Sequence, residues 1–390
     1  MLNPHPAELP VYARFPLEPA RGEGCWVWDR EGRRYLDFYG GHAVAVTGHC
    51  HPRVVEAVKA QAEKLLFYSN AVRLEIREKF LELLAEAAPE GLGKAFLVNS
   101  GAEANEQALA LARRATGRSR AVVLEGGFHG RTLATLAVSG IEKYRKLAAF
   151  SQAGRNLLGA TDVCPFGDED ALDRLVGPDT AAVLVEPVQG MGGARPAGRP
   201  FLEKAGKLCE ERGAALIFDE VQCGTGRTGA FTAAQLYGVV PDALTLAKGI
   251  ASGLPLGAVL AGGKLARGIG KGDLGSTFGG GPIPCAAGAA TLEILRDEEL
   301  PKKAARLGAY LKEEIQGMPG VKEVRGEGLL LGIVLEGPAK PVQQALLEKH
   351  SVITGSAVQP EVLRLLPPLT AGEEEARVFI AAFREAAADL

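Results

Sequence analysis

Apolar positions change their rhythm twice along this chain. Near the N-terminus, short apolar runs at 25–28 and 34–38 flank Asp29-Arg30-Glu31-Gly32, the pattern of a hairpin closed by a turn. Pro52 opens a helix with Val54, Val55, Val58, Ala62 and Leu65 at helical spacing, and a second helix is expected over about 73–88. From Lys94 the pattern becomes short, nearly continuous apolar runs at 95–98, 121–124, 181–185, 215–218, 244–246 and 258–261. Amphipathic helices are expected between them, near 102–115, 170–176, 200–212 and 231–237. Buried strands alternating with helices imply a parallel sheet covered on both faces, with ligands beyond the carboxyl ends of its strands. After about residue 284 the rhythm shifts again. Helices near 285–296, 301–316 and 341–349 surround apolar runs at 321–324, 329–335 and 362–366, and an amphipathic helix fills 373–388. The expected organisation is an α/β fold. A large domain covers 51–284, and a smaller α+β domain covers 285–390 together with the N-terminal segment 1–50.

Composition narrows the function classes. With 47% hydrophobic and 23% charged residues, the 390-residue chain can bury a large core and is not a disordered tail. Its net charge of −3 gives no basic excess for nucleic acid or an anionic membrane. No apolar run has the length of a membrane span, and residues 1–10 show no basic-then-apolar signal pattern. Six scattered cysteines, none in a C-x-x-C pair, do not make a disulfide scaffold, and the expected setting is reducing and cytoplasmic.

Three strand ends carry candidate chemistry. The run ending at Val98 leads into Asn99-Ser100-Gly101-Ala102-Glu103, a small-residue turn at a helix start whose N–H groups suit a phosphate. It also reads as an ordinary helix cap, and it matches neither nucleotide fingerprint, G-x-x-x-x-G-K-[ST] or G-x-G-x-x-G. The run ending at Phe218 delivers Asp219 and Glu220, either a ligand-facing carboxylate pair or a cap for the next turn. The run ending at Leu246 delivers Lys248, followed by Gly249, Gly253 and Gly257. A desolvated lysine there is a nucleophilic amine, and a lysine snorkelling to the surface is the alternative. His49 and His51 flank Cys50, but at that spacing and with no distant ligand cluster they read as a turn before Pro52 rather than a metal site. Together, a phosphate turn, a strand-end acid and a strand-end lysine are the parts needed to hold pyridoxal 5′-phosphate: an anchor, a partner for the pyridine nitrogen and an amine for the aldehyde.

On these and further motifs the chain resembles the class III aminotransferases of fold type I, most of all the acetylornithine and ornithine aminotransferase branch. The resemblance runs from Gly22 almost to the C-terminus. It rests on Asp37 with Gly48-His49-Cys50-His51-Pro52, Asn99 to Glu106, Phe128-His129-Gly130-Arg131-Thr132, Glu186-Pro187-Val188-Gln189-Gly190, Asp219 to Gln222, Ala247-Lys248-Gly249, Ser276-Thr277-Phe278-Gly279-Gly280, and Arg364 before Pro367-Pro368.

The resemblance implies a mainly parallel seven-stranded sheet flanked by helices. It implies Lys248 as the amine that carries the cofactor and shuttles the proton, Asp219 as the pyridine nitrogen's partner and Gln222 as the partner of the ring oxygen. Phe128 and Val221 would flank the ring, with His129 beside Phe128 as packing or a polar handle. Ser100, Gly101 and Ala102 would hold the phosphate, together with Ser276 and Thr277 of a segment crossing from a second subunit, so that a homodimer shares its active sites. Arg131 would grip a substrate carboxylate. Glu186 and Arg364 would form a switch, paired for an ω-amine donor and open for glutamate or 2-oxoglutarate. The implied reaction moves the ω-amino group of N2-acetylornithine to 2-oxoglutarate, a step of arginine biosynthesis. Ornithine, succinylornithine, carrier-linked (LysW-linked) or acetyl-lysine and 4-aminobutyrate are the alternative donors, and a non-catalytic regulator of the same fold is the alternative from another class. The chain departs from the family pattern at His42, Tyr68, Met191 and Gly281. His42 and Tyr68 fall where substrate-binding residues differ between branches, Met191 replaces a frequent glutamate, and Gly281 replaces an asparagine.

Overall fold

The computed structural model describes residues 7–148 and 160–388, so residues 1–6 of the N-terminal stretch read for a signal pattern lie outside the described residues. Seven strands form the central sheet. Their spatial order is Lys94–Val98, Gly257–Ala261, Ala243–Leu246, Ala215–Asp219, Thr180–Val185, Arg120–Leu124 and Thr161–Cys164. All six apolar runs read from the sequence are strands of this sheet. The seventh, Thr161–Cys164, sits at an edge and is only partly buried, so its sequence carries no continuous apolar run.

One strand runs against the rest. Gly257–Ala261 pairs antiparallel with both its neighbours, Ala243–Leu246 and Lys94–Val98. The connection before it, residues 247–256, is shorter than the dozen or so residues a parallel crossover needs. The remaining pairings are parallel. Helices pack on this sheet. Gly101–Thr116 buries Ala104, Ala108, Leu111 and Ala112, and ends at Gly117 in the left-handed region with φ of 68°. Two short helices, Leu133–Ala137 and Glu142–Ala148, have too few turns to show a periodic signature and were not legible in the sequence.

Two four-stranded sheets and a two-stranded ribbon, Val188–Gln189 with Arg195–Pro196, accompany the large one. The N-terminal hairpin Trp26–Asp29 and Arg34–Asp37 is present, with Pro19–Glu23 on one side and Val352–Ile353 pairing parallel to Arg34–Asp37 on the other. The four strands Val321–Glu327, Leu330–Leu335, Val362–Leu365 and Gly355–Ser356 form an antiparallel sheet. The N-terminal chain also packs on the last helix, Glu373–Ala386, where the rings of Phe38 and Phe379 stack with centroids 4.8 Å apart.

His49 and His51 are absorbed by this framework. His49 Nε2 lies 2.7 Å from Asp37 Oδ2, while His51 accepts the Arg53 N–H as cap of the helix Pro52–Lys64. Among the described residues no helix is long and apolar enough to cross a membrane, and all six cysteines are unpaired.

Candidate active site

Five strands of the large sheet end on the same side, and each hands its next residues to one cavity of about 470 Å³. Lys94–Val98 delivers Ser100 and Gly101, and Arg120–Leu124 leads to Phe128 and His129. Thr180–Val185 leads to Glu186, Ala215–Asp219 ends in Asp219 itself, and Ala243–Leu246 leads to Lys248.

The floor is a polar network centred on Asp219. Asp219 is buried, and its Oδ2 accepts from Asn105 Nδ2 at 2.7 Å and from His129 Nδ1 at 2.8 Å, while Oδ1 accepts the Val221 N–H at 3.1 Å. A carboxylate only accepts, so His129 carries its proton on Nδ1, and its buried Nε2 has no partner among the described residues. Asn105 is fixed in turn: its Nδ2 also donates to the His129 carbonyl, and its Oδ1 accepts from the Thr245 hydroxyl. The role of Asn105 emerges only from these contacts. The available signal was a polar residue on the apolar stripe of Ala104, Ala108, Leu111 and Ala112.

At the phosphate-sized turn, Ser100 caps the helix Gly101–Thr116 by accepting the Glu103 N–H, and Glu103 folds back to accept the Asn99 N–H. The first-turn N–H groups of Gly101 and Ala102 have no intrahelical acceptor. The Val221 side chain packs close against Gly101, where an added Cβ would lie 2.6 Å from Val221 Cγ1.

Lys248 begins a short 3-10 turn with φ of 46°, a left-handed conformation unusual for a residue with a side chain and typical of functional sites. Burial holds its ammonium below the ordinary lysine range, with Asp219 and Glu186 pulling the other way. The balance favours a nucleophilic amine. Glu186 is pushed up to about 7, first by desolvation and then by Asp219. Its carboxylate accepts the N–H of Phe128 at 2.7 Å and of Gly190 at 3.0 Å. Glu220, the neighbour of Asp219, turns away from the cavity to accept the N–H groups of Ala233 and Ala234 at the start of the helix Ala233–Tyr237. Of the strand-end acid pair, only Asp219 lines the cavity.

The mouth is looser. Arg131 is exposed, stacks over the Tyr144 ring at 3.9 Å and lies 5.6 Å from the Phe128 ring centre. His42 lines the opening in a left-handed conformation, with its Nε2 2.9 Å from the Tyr39 hydroxyl. Partial desolvation at the cavity mouth, followed by the charges of Arg364 and Lys248, lowers the His42 pKa. Arg364 lies behind the wall. It is 1% exposed and donates to the Ser356 carbonyl, to Gln222 Oε1 at 3.1 Å and to Met191 Sδ at 3.4 Å.

Three groups of expected site residues do not meet in this single chain. The Glu186–Arg364 ion pair is not formed in this structure: the Glu186 oxygens are held by backbone N–H groups, and the Arg364 donors by a carbonyl, an amide and a thioether. Tyr68 does not line the cavity; it is 51% exposed on the segment after the helix Pro52–Lys64. Ser276 and Thr277 do not line it either, Ser276 being tied to Asn99 at 3.3 Å and Thr277 exposed. Val44 and the stretch from Gly253 to Leu256, which carry no motif of their own, complete the wall.

A mostly parallel sheet that converges a desolvated lysine, a buried carboxylate and a capped small-residue turn has the architecture of a pyridoxal-phosphate-dependent transferase. The particular family follows from comparison with known proteins. Residues 10–387 match the class-III aminotransferases, and the chain belongs to that family. It is 42% identical over 371 residues to an acetylornithine aminotransferase of Methanothermobacter thermautotrophicus, covering 94% of this chain and 93% of the relative. It is 41% identical over 375 residues to a [LysW]-aminoadipate semialdehyde transaminase of Deinococcus radiodurans, covering 96% and 86%. Among solved structures, the ornithine aminotransferase of Toxoplasma gondii superposes with a TM-score of 0.90 at 30% identity, covering 98% of this chain and 93% of that one. The acetylornithine aminotransferase of Elizabethkingia anophelis superposes with a TM-score of 0.86 at 31% identity, covering 98% and 96%.

The protein is therefore an aminotransferase acting on small amino and keto acids, with pyridoxal 5′-phosphate as its cofactor. The residues present fit that group. The helix start at Gly101 offers first-turn N–H groups to an anion, the Lys248 amine is desolvated, and the floor holds one buried, oriented carboxylate.

Proposed function

We propose that the chain transfers the ω-amino group of N2-acetylornithine to 2-oxoglutarate, giving N-acetylglutamate 5-semialdehyde and glutamate. The observation that carries the proposal is Arg131. It is a cation at the mouth with no ion pair or hydrogen bond among the described residues, over a cavity whose floor holds Lys248 and Asp219. A donor that reacts at its far amine places its α-carboxylate away from Lys248, and a guanidinium with uncommitted N–H groups is its natural receptor.

When bound, the cofactor supplies the electron sink through which an amino group leaves one carbon and joins another. In this reading Lys248 holds the cofactor and moves the proton at the substrate carbon. Asp219 accepts the ring N–H, with Asn105 and His129 fixing the carboxylate in place. Ser100, Gly101 and Ala102 hold the phosphate, Phe128 and Val221 flank the ring, and Gln222 donates to the ring oxygen. Arg131 grips the donor's carboxylate and Arg364 that of glutamate. Glu186 is among the charges acting on Arg364, and it tunes the second arginine between the two half-reactions.

Thr277 of the partner subunit completes the phosphate site in a homodimer. Support for that dimer comes from the apolar surface beside Thr277: Leu66 is 65% and Phe278 64% exposed, and the rings of Phe67 and Phe278 lie 5.1 Å apart. The two four-stranded sheets and their helices form a second domain from residues 1–50 and 285–390.

The acyl group is the open variable, since a LysW-aminoadipate semialdehyde transaminase is as similar as the acetylornithine enzymes. Steady-state assays with 2-oxoglutarate and a panel of donors decide it. The expected result is the highest kcat/KM with N2-acetylornithine. A higher value with carrier-linked lysine, ornithine, succinylornithine, acetyl-lysine or 4-aminobutyrate overturns the proposal.

A further inference from the structure

Tyr144 lies outside the cavity, on the helix Glu142–Ala148, and no sequence motif singled it out. Its half-buried ring is packed on two sides. The Phe128 ring meets it edge to face, with centroids 5.5 Å apart and planes at 74°, and the Arg131 guanidinium carbon sits 3.9 Å from its centre. Phe128 is itself pinned by its N–H to Glu186. Arg131 is thereby linked, through Tyr144 and Phe128, to the interior wall of the cavity. Among the described residues no carboxylate or carbonyl holds Arg131.

This arrangement has a chemical consequence. A guanidinium is a flat fork whose N–H donors all lie in its plane. An arginine held by a carboxylate spends those donors on its anchor. One held over an aromatic face is attracted by the ring quadrupole and keeps the edge of the fork available. We propose that Tyr144 is the positioning residue of Arg131: its ring orders an otherwise exposed, rotamer-rich side chain while leaving the in-plane donors for a substrate carboxylate. The inference rests on Arg131 being the carboxylate receptor. The hydroxyl plays no part, since it makes no hydrogen bond among the described residues.

The test compares Tyr144→Leu, Tyr144→Phe and Arg131→Ala on two donors: N2-acetylornithine and N-acetyl-1,4-diaminobutane, its analogue without the carboxylate. Tyr144→Leu should lower kcat/KM for N2-acetylornithine about fivefold, through KM, the size of a cation–π contact at a partly exposed site. It should leave the analogue unchanged, and Tyr144→Phe should behave as the parent. Calorimetry adds a readout without turnover. N2-acetylnorvaline, which keeps the carboxylate and acyl group but lacks the reacting amine, should bind Tyr144→Leu about fivefold more weakly and Tyr144→Phe normally. Equal losses on both donors, or a Phe variant as poor as the Leu variant, would show a merely structural ring and overturn the proposal. If Arg131→Ala spares N2-acetylornithine, the receptor assignment falls and this inference with it. If Arg131→Ala is selective and Tyr144→Leu is not, only the positioning role of Tyr144 falls.

Discussion

The floor and the mouth of the cavity are built on opposite plans. At the floor, both oxygens of Asp219 are engaged and its partners Asn105 and His129 are bonded in turn. Low local dielectric makes such a network costly to leave incomplete and rigid once complete. At the mouth, Arg131 and His42 are exposed and rest on aromatic neighbours, Tyr144 and Tyr39. The floor suits a constant partner, the cofactor, whose charge must be stabilised in one place. The mouth suits successive partners, a donor and then a keto acid, whose carboxylates must be gripped and released. Arg364 stands between the plans, as fully buried as the floor yet holding no carboxylate within ion-pair distance among the described residues.

The largest effect should come from the floor. Lys248→Ala should abolish turnover by about 10⁴-fold or more, since one amine serves both cofactor exchange and proton transfer. Borohydride reduction of the parent should fix the cofactor on the peptide carrying Lys248, and labelling at another lysine would refute the assignment. Asp219→Asn keeps the shape and removes the charge. A fall in kcat of about a hundredfold, about 2.7 kcal/mol of barrier, is expected with the cofactor saturating. Asn105→Ala leaves the charge but loosens its hold, and should cost about tenfold. If Asn105→Ala cost as much as Asp219→Asn, the floor would act through position rather than charge.

A smaller effect separates the two plans by pH. Glu186 is raised to about 7 and Glu220 to about 8, both from 4.5. The native state holds these protons more tightly than the unfolded chain. Their contribution to stability is complete below about pH 4.5 and is lost as pH rises through 7 and 8. Glu186→Gln should flatten part of that decline in the cofactor-free protein, seen as a smaller fall in Tm between about pH 5 and pH 7. An unchanged slope would mean that Glu186 is ionised throughout.

The same contrast explains what the sequence could say. The strands of the central sheet were legible because burial on both faces forces continuous apolar runs, and among them only Thr161–Cys164, partly exposed at the edge, escaped. Lys248, Asp219 and the Ser100 turn were legible because strand ends in such a sheet meet at one edge. The mouth was less so. Tyr68 and Thr277 fall on exposed segments that a single chain does not bring to the cavity, and Tyr144 sits on a helix too short for a periodic signal. The Glu186–Arg364 pairing depended on side-chain choices that sequence spacing does not encode. Here backbone N–H groups take one partner, and Met191 helps hold the other.

The central claim is that two arginines divide the recognition, Arg131 serving the ω-amine donor and Arg364 serving glutamate. Single-turnover measurement of the two half-reactions in Arg131→Ala and Arg364→Ala tests it directly. Arg131→Ala should slow the N2-acetylornithine half-reaction about ten- to a hundredfold, the worth of a bidentate charged hydrogen bond, and affect the glutamate half-reaction much less. Arg364→Ala should do the reverse. Equal losses in both half-reactions for both variants would contradict the division.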